Sequence, residues 1–391
     1  MSFGLKILSV EAGNTIISPL NIAHAFSILL NGASSNTKTR IEQLLSPLDK
    51  AGISSSLSNV PSDVAIAARL FLGDKFKIKS EFTRANEESF GSVQSENLNF
   101  AAAGAAADRI NSWVAESTDN KITDLVSAGD FDPLTRLVIL STIVFKGLWK
   151  EPFSDTFQAK FDDKIMTTFM SVKQKGVYGV NVSDEFSACD IPYVGDGGLK
   201  MTIIMPQGNL ETFESTLTEE GLNKIFSEIR MQRGDVTLTI PKFKMEKKTN
   251  LKNTFTQLGR YNHPLNQGCR VGRLCRKTGI LTDRQPCYWL FLKPFWLGFG
   301  DLFDQNGKHD YSPLTDEDIF LADAIHSATI EVDEKGTVAA AATALKMQMR
   351  MMVRPVSFTA DRPFLYFIRQ NETVLFIGRF SSAWIFSSLS I

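Results

Sequence analysis

The sequence predicts a mixed α+β fold rather than an alternating α/β sheet. Helical patterns dominate the first third of the chain, strand patterns dominate the remainder, and no regular strand–helix alternation or internal repeat is present. The 391 residues include 43% hydrophobic and 22% charged residues, an ordinary globular composition. We therefore expect a large apolar core enclosed by helices and several sheets.

Three segments carry helix patterns. Apolar and small residues run from Ile22 to Leu30. A second segment, from Thr37 to Leu45, begins with polar residues and has its apolar residues further along. Between Ala101 and Val126, Ile110 and Trp113 fall on one helical face. These spacings predict amphipathic helices.

Strand patterns follow. The run from Leu137 to Phe145 is almost continuously apolar, which is typical of a central strand buried on both faces. Alternation of apolar and polar residues recurs in four further segments, at 236–240, 327–332, 365–368 and 374–377.

Charge and cysteine content exclude several classes of protein. The net charge of −1 and the lack of a basic helix argue against a nucleic-acid partner. No apolar run reaches membrane-spanning length, and the N-terminus shows no secretory pattern. Four cysteines are too few for a disulfide framework and fit a reducing compartment. We therefore expect a cytoplasmic protein that does not bind membranes.

The segment from Glu331 to Ala344, EVDEKGTVAAAATA, is the most informative part of the sequence. Small residues, including four consecutive alanines, follow Gly336 in a chain otherwise rich in bulky apolar residues. Small side chains suit a strand that must enter a packed sheet, because larger ones would overpack the crevice. Beyond them Leu345, Met347 and Met349 alternate with polar residues, the period of a strand.

This segment resembles the hinge and reactive-centre loop of a serpin, a serine protease inhibitor. The resemblance covers most of the chain and is nearest to the intracellular, ovalbumin-like members. Further motifs that carry it, in the family's order, are Ile17-Ser18-Pro19-Leu20-Asn21-Ile22, Ile110-Asn111-Ser112-Trp113-Val114, Phe145-Lys146-Gly147-Leu148-Trp149, Ile240-Pro241-Lys242-Phe243, Phe358-Thr359-Ala360-Asp361-Arg362-Pro363-Phe364-Leu365 and Phe376-Ile377-Gly378-Arg379-Phe380.

The resemblance implies a single domain over residues 1–391 with three β-sheets, about eight to nine helices and an exposed reactive-centre loop at 334–357. It also implies a suicide-substrate inhibitor rather than an enzyme. A protease cuts the loop, and the freed segment inserts into the main sheet and traps the acyl-enzyme. The expected molecule is a monomer whose partner is a protease in a covalent complex, with no cofactor.

The reactive bond and the hinge follow from spacing within that loop. Family loops place the bond fourteen residues after the equivalent of Gly336 and thirteen before that of Pro363, and both counts reach Arg350. An arginine at this position suits the acidic pocket of a trypsin-like serine protease, so the predicted bond is Arg350–Met351. Lys346 and Arg354 are competing basic positions. The predicted hinge residues are Glu334, Gly336, Thr337, Ala339, Ala340, Ala341, Ala342 and Thr343.

The resemblance places two further groups of residues where they would control opening of the main sheet. One, under the middle of the sheet, comprises Ser18, Asn21, Ser141 and His326, in which Ser141 replaces the asparagine usual in the family. The other, at the upper end of the sheet, pairs Glu334 with Lys242 beside Trp149.

The interval 260–300 departs from the family, which usually has one or two residues there. It holds three of the four cysteines and two of the five tryptophans, and carries a net charge of +6. A long segment without a repeated period is unusual inside a compact domain. An unspliced intron or gene-model error is the favoured interpretation, and a functional loop is the alternative.

Enzyme chemistry is not expected. The sequence has no nucleophile elbow, HExxH, CxxC pair, Walker loop or dinucleotide fingerprint. A zinc site from His263, Cys269, Cys275 and Cys287 fits no standard spacing, so no metal is expected. Two alternatives to a trypsin inhibitor stay open, namely a non-inhibitory serpin acting as a carrier or chaperone, and an inhibitor of a cysteine protease.

Overall fold

The computed structural model describes residues 2–46, 48–91, 94–195, 197–261, 300–336 and 355–382. The central part of the predicted insertion and most of the predicted reactive-centre loop lie outside these ranges. The predicted bond Arg350–Met351 and the hinge residues from Thr337 to Thr343 are therefore not described. Glu334 and Gly336 are the hinge residues within the described ranges.

The described part of the chain contains nine α-helices. They are α1 Ser2–Val10, α2 Pro19–Asn31, α3 Ser35–Leu45, α4 Lys50–Ser58, α5 Ser80–Phe90, α6 Ala103–Ser117, α7 Leu210–Thr216, α8 Glu219–Glu228 and α9 Leu251–Tyr261. The helix expected between Ala101 and Val126 ends earlier, at Ser117, because Asp119 and Asn120 adopt a left-handed backbone conformation.

Sixteen strands of the described chain form three sheets, which confirms the α+β prediction. The strands are β1 Thr15–Ile17, β2 Val64–Gly73, β3 Gln94–Leu98, β4 Leu137–Phe145, β5 Asp155–Phe161, β6 Ile165–Lys175, β7 Gly179–Val182, β8 Phe186–Pro192, β9 Leu199–Pro206, β10 Arg230–Met231, β11 Asp235–Pro241, β12 Phe243–Asn250, β13 Leu321–Val332, β14 Val356–Thr359, β15 Phe364–Gln370 and β16 Thr373–Phe380. The sheets have the orders β1-β16-β15-β9-β8-β7-β10, β14-β11-β6-β5 and β12-β13-β4-β2-β3.

The five-stranded sheet has an unusual centre. Its two middle strands, β13 and β4, run parallel, while β12 is antiparallel to β13 and β2 is antiparallel to β4. The sequence predicted β4 as a strand buried on both faces, and all nine of its residues are buried. Its two faces meet different apolar clusters.

One cluster joins all three sheets with α2 and α9, and includes Phe26, Ile143 and Phe364. The other lies on the opposite face of the five-stranded sheet under α6, where Trp113 packs with Val138. The middle of the five-stranded sheet is therefore sealed from water on both sides. No helix in the described ranges is long and apolar enough to cross a membrane.

Candidate functional site at the hinge and the centre of the five-stranded sheet

A tight turn connects β13 to the predicted hinge. The Asp333 amide donates to the Gly336 carbonyl at 3.0 Å, which closes a turn around Glu334 and Lys335. The Asp333 carboxylate accepts the amides of Lys335 and Gly336 at 2.9 and 3.0 Å. An aspartate that satisfies the amides after it is a common way to stabilise a turn. Sequence reasoning missed Asp333, although an aspartate shortly before a glycine is a recognised turn signal.

Gly336 lies against the strand on the other side. It forms an antiparallel bridge with Leu148, just beyond the end of β4, and its φ is +139°. A Cβ atom here would lie 2.3 Å from the Gly147 carbonyl oxygen and 2.5 Å from the Leu148 Cα. Only glycine fits this backbone conformation and this close approach. The predicted need for glycine at the hinge thus has a steric basis.

Trp149 fastens the turn to the rest of the molecule. Its side chain is buried and stacks on Tyr193 with ring centroids 4.4 Å apart. The indole Nε1–H donates to the Asp333 carbonyl at 2.8 Å, and the backbone amide donates to the Lys335 carbonyl at 3.0 Å. One aromatic residue therefore holds the turn through two separate hydrogen bonds.

Lys242 and Glu334 form the predicted ion pair across the upper end of the sheet. The Lys242 ammonium lies 2.8 Å from both carboxylate oxygens of Glu334, and each side chain is about one-third exposed. The hydrogen bond from Lys242 lowers the pKa of the Glu334 carboxyl below its usual value. Because water screens the pair, its contribution to stability is at most about 1 kcal/mol.

His326 occupies the middle of β13 and is fully buried. Its Nε2 accepts the Ser18 amide at 3.0 Å, so Nδ1 carries the proton and donates to the Ser141 hydroxyl at 2.9 Å. Burial lowers the pKa of His326 to about 3, so the imidazole is neutral at physiological pH. The hydroxyl of Ser141 is thus the hydrogen-bond acceptor of the buried imidazole.

The first turn of α2 completes this centre. Ser18 caps the helix by accepting the Asn21 amide at 3.2 Å, and Pro19 follows at the first helical position. The Asn21 side-chain amide donates to the Thr142 carbonyl on β4 at 2.8 Å. One helix terminus therefore contacts both middle strands, β13 through His326 and β4 through Thr142.

The ladder between the two middle strands stops below the hinge. Its last pair is Thr329 with Val144, although β13 continues to Val332 and β4 to Phe145. Above this point β13 pairs only with β12, where Phe243 lies opposite Val332. The strands β13 and β4 are therefore not paired with each other at the end of the sheet where the hinge lies.

The structure brings the predicted residues together in two places. Ser18, Asn21, Ser141 and His326 meet at the centre, and Trp149, Lys242, Glu334 and Gly336 meet at the upper end. Within the described ranges, no group of three or more His, Cys, Asp or Glu side chains is placed to hold a metal ion.

The family model for "Serpin (serine protease inhibitor)" matches residues 4–263 and 296–383. The chain belongs to the serpin family. Its members are protease inhibitors, and this membership supports the prediction that the protein is not an enzyme. The unmatched stretch 264–295 lies inside the interval 260–300, whose status as an insertion stays a prediction.

Curated relatives span almost the whole serpin chain. Serpin B6 of Macaca fascicularis is 30% identical, covering 97% of each chain. Leukocyte elastase inhibitor of Homo sapiens is 28% identical over 95% of this chain and 93% of that protein. Among solved structures, native protease nexin-1 with heparin superposes with a TM-score of 0.76 at 24% identity, covering 98% of this chain and 97% of that chain. This last likeness establishes the fold alone.

Proposed function

We propose that this serpin is a suicide-substrate inhibitor of a trypsin-like serine protease. The protease attacks the Arg350–Met351 bond, and the cleaved segment enters the five-stranded sheet before the acyl-enzyme hydrolyses. The observation that carries the proposal is the parallel pair β13–β4 at the centre of that sheet, with the hinge residue Gly336 already bridged to Leu148.

The topology leaves a place for a new strand. A chain that turns back after β13 runs antiparallel to β13, and also antiparallel to β4, because those two strands are parallel. Insertion therefore replaces one parallel ladder by two antiparallel ladders, which are slightly more stable per residue. At ~0.5–1.5 kcal/mol net per hydrogen bond, the new strand releases on the order of 10 kcal/mol.

The residues that follow Gly336 fit the space. On insertion Thr337, Ala339, Ala341 and Thr343 face the same side as His326, where the apolar core is closely packed. All four are small, so they enter without overpacking the core.

An intact loop restrains this reaction at both ends. Gly336 is held in the five-stranded sheet, whereas β14, at Val356–Thr359, pairs with β11 in the four-stranded sheet. While the chain is continuous, the segment between these anchors is tethered to both sheets. Cleavage at Arg350 frees its N-terminal part, so the protease itself supplies the trigger.

Incubation with trypsin tests the proposal. A covalent complex that survives SDS and contains the serpin cleaved after Arg350 is expected. Clean loop cleavage with no complex would contradict inhibition of trypsin and favour the carrier or chaperone alternative. A complex formed only with a cysteine protease would favour the cross-class alternative.

We propose a monomer in the cytoplasm, since the sequence resembles intracellular members. Sequencing the transcript tests whether residues 260–300 are present in the mature protein. A continuous spliced message encoding those residues would exclude the gene-model interpretation.

A further inference from the structure

The four-stranded sheet carries a group of exposed cations on one face. Lys173 and Lys175 are alternate residues of β6, so their side chains lie on the same side of the sheet, and both are exposed. On the neighbouring strand β11, Asp235 lies opposite Lys175. Arg233, also exposed, precedes Asp235 by two residues. We call Lys173, Lys175 and Arg233 the basic patch.

The charge of the basic patch is only partly balanced. The ammonium of Lys173 lies 3.4 Å from the carboxylate of Asp235, and both side chains are about half exposed. Among the described residues, Lys175 and Arg233 have no carboxylate at ion-pair distance. Asp155 on β5 lies one strand across and two positions along from Lys173 and forms no ion pair with the patch in the described ranges. Such exposed charges contribute little to folding stability, so the fold itself gives no reason for this cluster.

The basic patch lies close to the strand that follows the predicted reactive-centre loop. Thr237 on β11 pairs with Lys173 on one side and with Ser357 on the other. Neighbouring strands are about 4.8 Å apart, so the Cα atoms of Lys173 and Ser357 are separated by roughly 10 Å. Ser357 is the second residue of β14, where the loop joins the four-stranded sheet.

A protease that cuts the loop must lie over this surface. Any bond within six residues before Val356 is at most about 20 Å from it along an extended chain. A protease domain of about 200 residues has a radius of gyration of about 16 Å, so its body overhangs the sheet around β14. At the other end of the loop the charge is already balanced, because Glu334 pairs with Lys242. The unpaired cations thus lie on the β14 side of the loop.

We propose that the basic patch is a docking surface for an acidic region of the target protease beside its active-site cleft. This inference rests on the proposed function, because the occupant is the protease that attacks the loop. Complementary charges at the rim of an interface accelerate the encounter of two proteins, and salt weakens that effect. The patch narrows the target to a trypsin-like protease with an acidic surface next to its cleft.

Charge reversal at Lys175 tests the docking surface. The second-order rate constants of loop cleavage and of enzyme inactivation are measured with anionic trypsin at low and at high salt. Lys175→Glu is expected to lower both constants about fivefold in about 0.05 M NaCl and less than about twofold in about 0.5 M NaCl, with Lys175→Ala in between. The number of serpin molecules consumed per enzyme is expected to stay the same, because it depends on loop insertion and not on the encounter.

Lys75→Glu is the matched control. Lys75 is an exposed lysine in the turn after β2, at the end of the five-stranded sheet opposite the hinge. This variant has the same net charge as Lys175→Glu and is expected to keep the wild-type rates. Both variants are expected to keep the thermal transition of the wild-type protein, because both positions are exposed.

The outcomes separate the docking surface from the proposed function. Equal cleavage rates for wild type and Lys175→Glu, or an equal loss in Lys75→Glu, would overturn the docking surface alone. Slower cleavage of Lys175→Glu, with no covalent complex from the wild type, would support the docking surface and reject inhibition of trypsin. Retention of the wild type but not of Lys175→Glu on immobilised heparin, with unchanged cleavage rates, would assign the patch to a sulfated polysaccharide and overturn the proposal.

Discussion

The replacement Ser141→Ala tests the centre of the five-stranded sheet most directly. It removes the hydroxyl that accepts the His326 Nδ1–H at 2.9 Å, and His326 is fully buried. A buried donor left without an acceptor costs about 1–3 kcal/mol. For a chain of this length the cost corresponds to a fall of about 1–4 °C in the transition temperature of the uncleaved protein.

The effect is expected to depend on the state of the loop. In the proposed inserted state a new strand separates β13 from β4, so the hydrogen bond between His326 and Ser141 exists only before cleavage. The loss of stability therefore appears in the uncleaved form and is absent from the cleaved form. The same change raises the free energy of the uncleaved protein further above that of the inserted state. The His326–Ser141 bond no longer has to break when the sheet opens, so spontaneous loss of inhibitory activity at 37 °C is faster.

Differential scanning calorimetry of both forms at one scan rate measures the effect. Ser327→Ala is the matched control, because Ser327 is buried in the same sheet and has no hydrogen bond from its hydroxyl among the described residues. An equal fall in the cleaved and uncleaved forms of Ser141→Ala would refute the reasoning. So would an unchanged uncleaved protein.

Three further predictions concern the buried histidine, the hinge ion pair and the predicted reactive bond. Because burial lowers the pKa of His326 from 6.5 to about 3, the unfolded chain takes up a proton that the native protein excludes. Stability is therefore lost as pH falls from about 6.5 towards 3, by up to ~1.4 kcal/mol per pH unit, and His326→Gln should flatten that slope in thermal scans. Lys242→Ala should lower the transition temperature of the uncleaved form by about 1 °C, whereas Lys244→Ala, at an exposed position two residues later on β12, should not. A larger effect from Lys244 would contradict the role of the hinge ion pair. On an SDS gel, Arg350→Ala should abolish the covalent trypsin complex and Arg354→Ala should retain it. The reverse result would place the reactive bond after Arg354.

The local elements of this serpin can be predicted from its amino-acid pattern. The apolar run of β4 required burial on both faces, and the spacing of Ile110 and Trp113 required an amphipathic helix at α6. Ser18 and Pro19 carry the signals of a helix start. These properties depend on residues that are close together in the chain, so the sequence alone is enough to predict them.

The contacts between residues far apart in the chain depend on how the helices and sheets pack together. Ser18 and His326 are 308 residues apart, and their hydrogen bond exists because α2 docks under the middle of the five-stranded sheet. The contacts of the Asp333 carboxylate and the bridge between Gly336 and Leu148 likewise follow from how β13, β4 and Leu148 are placed. A hydrogen-bond partner or a strand register depends on the packing of whole elements, and a pattern of neighbouring residues does not contain that information.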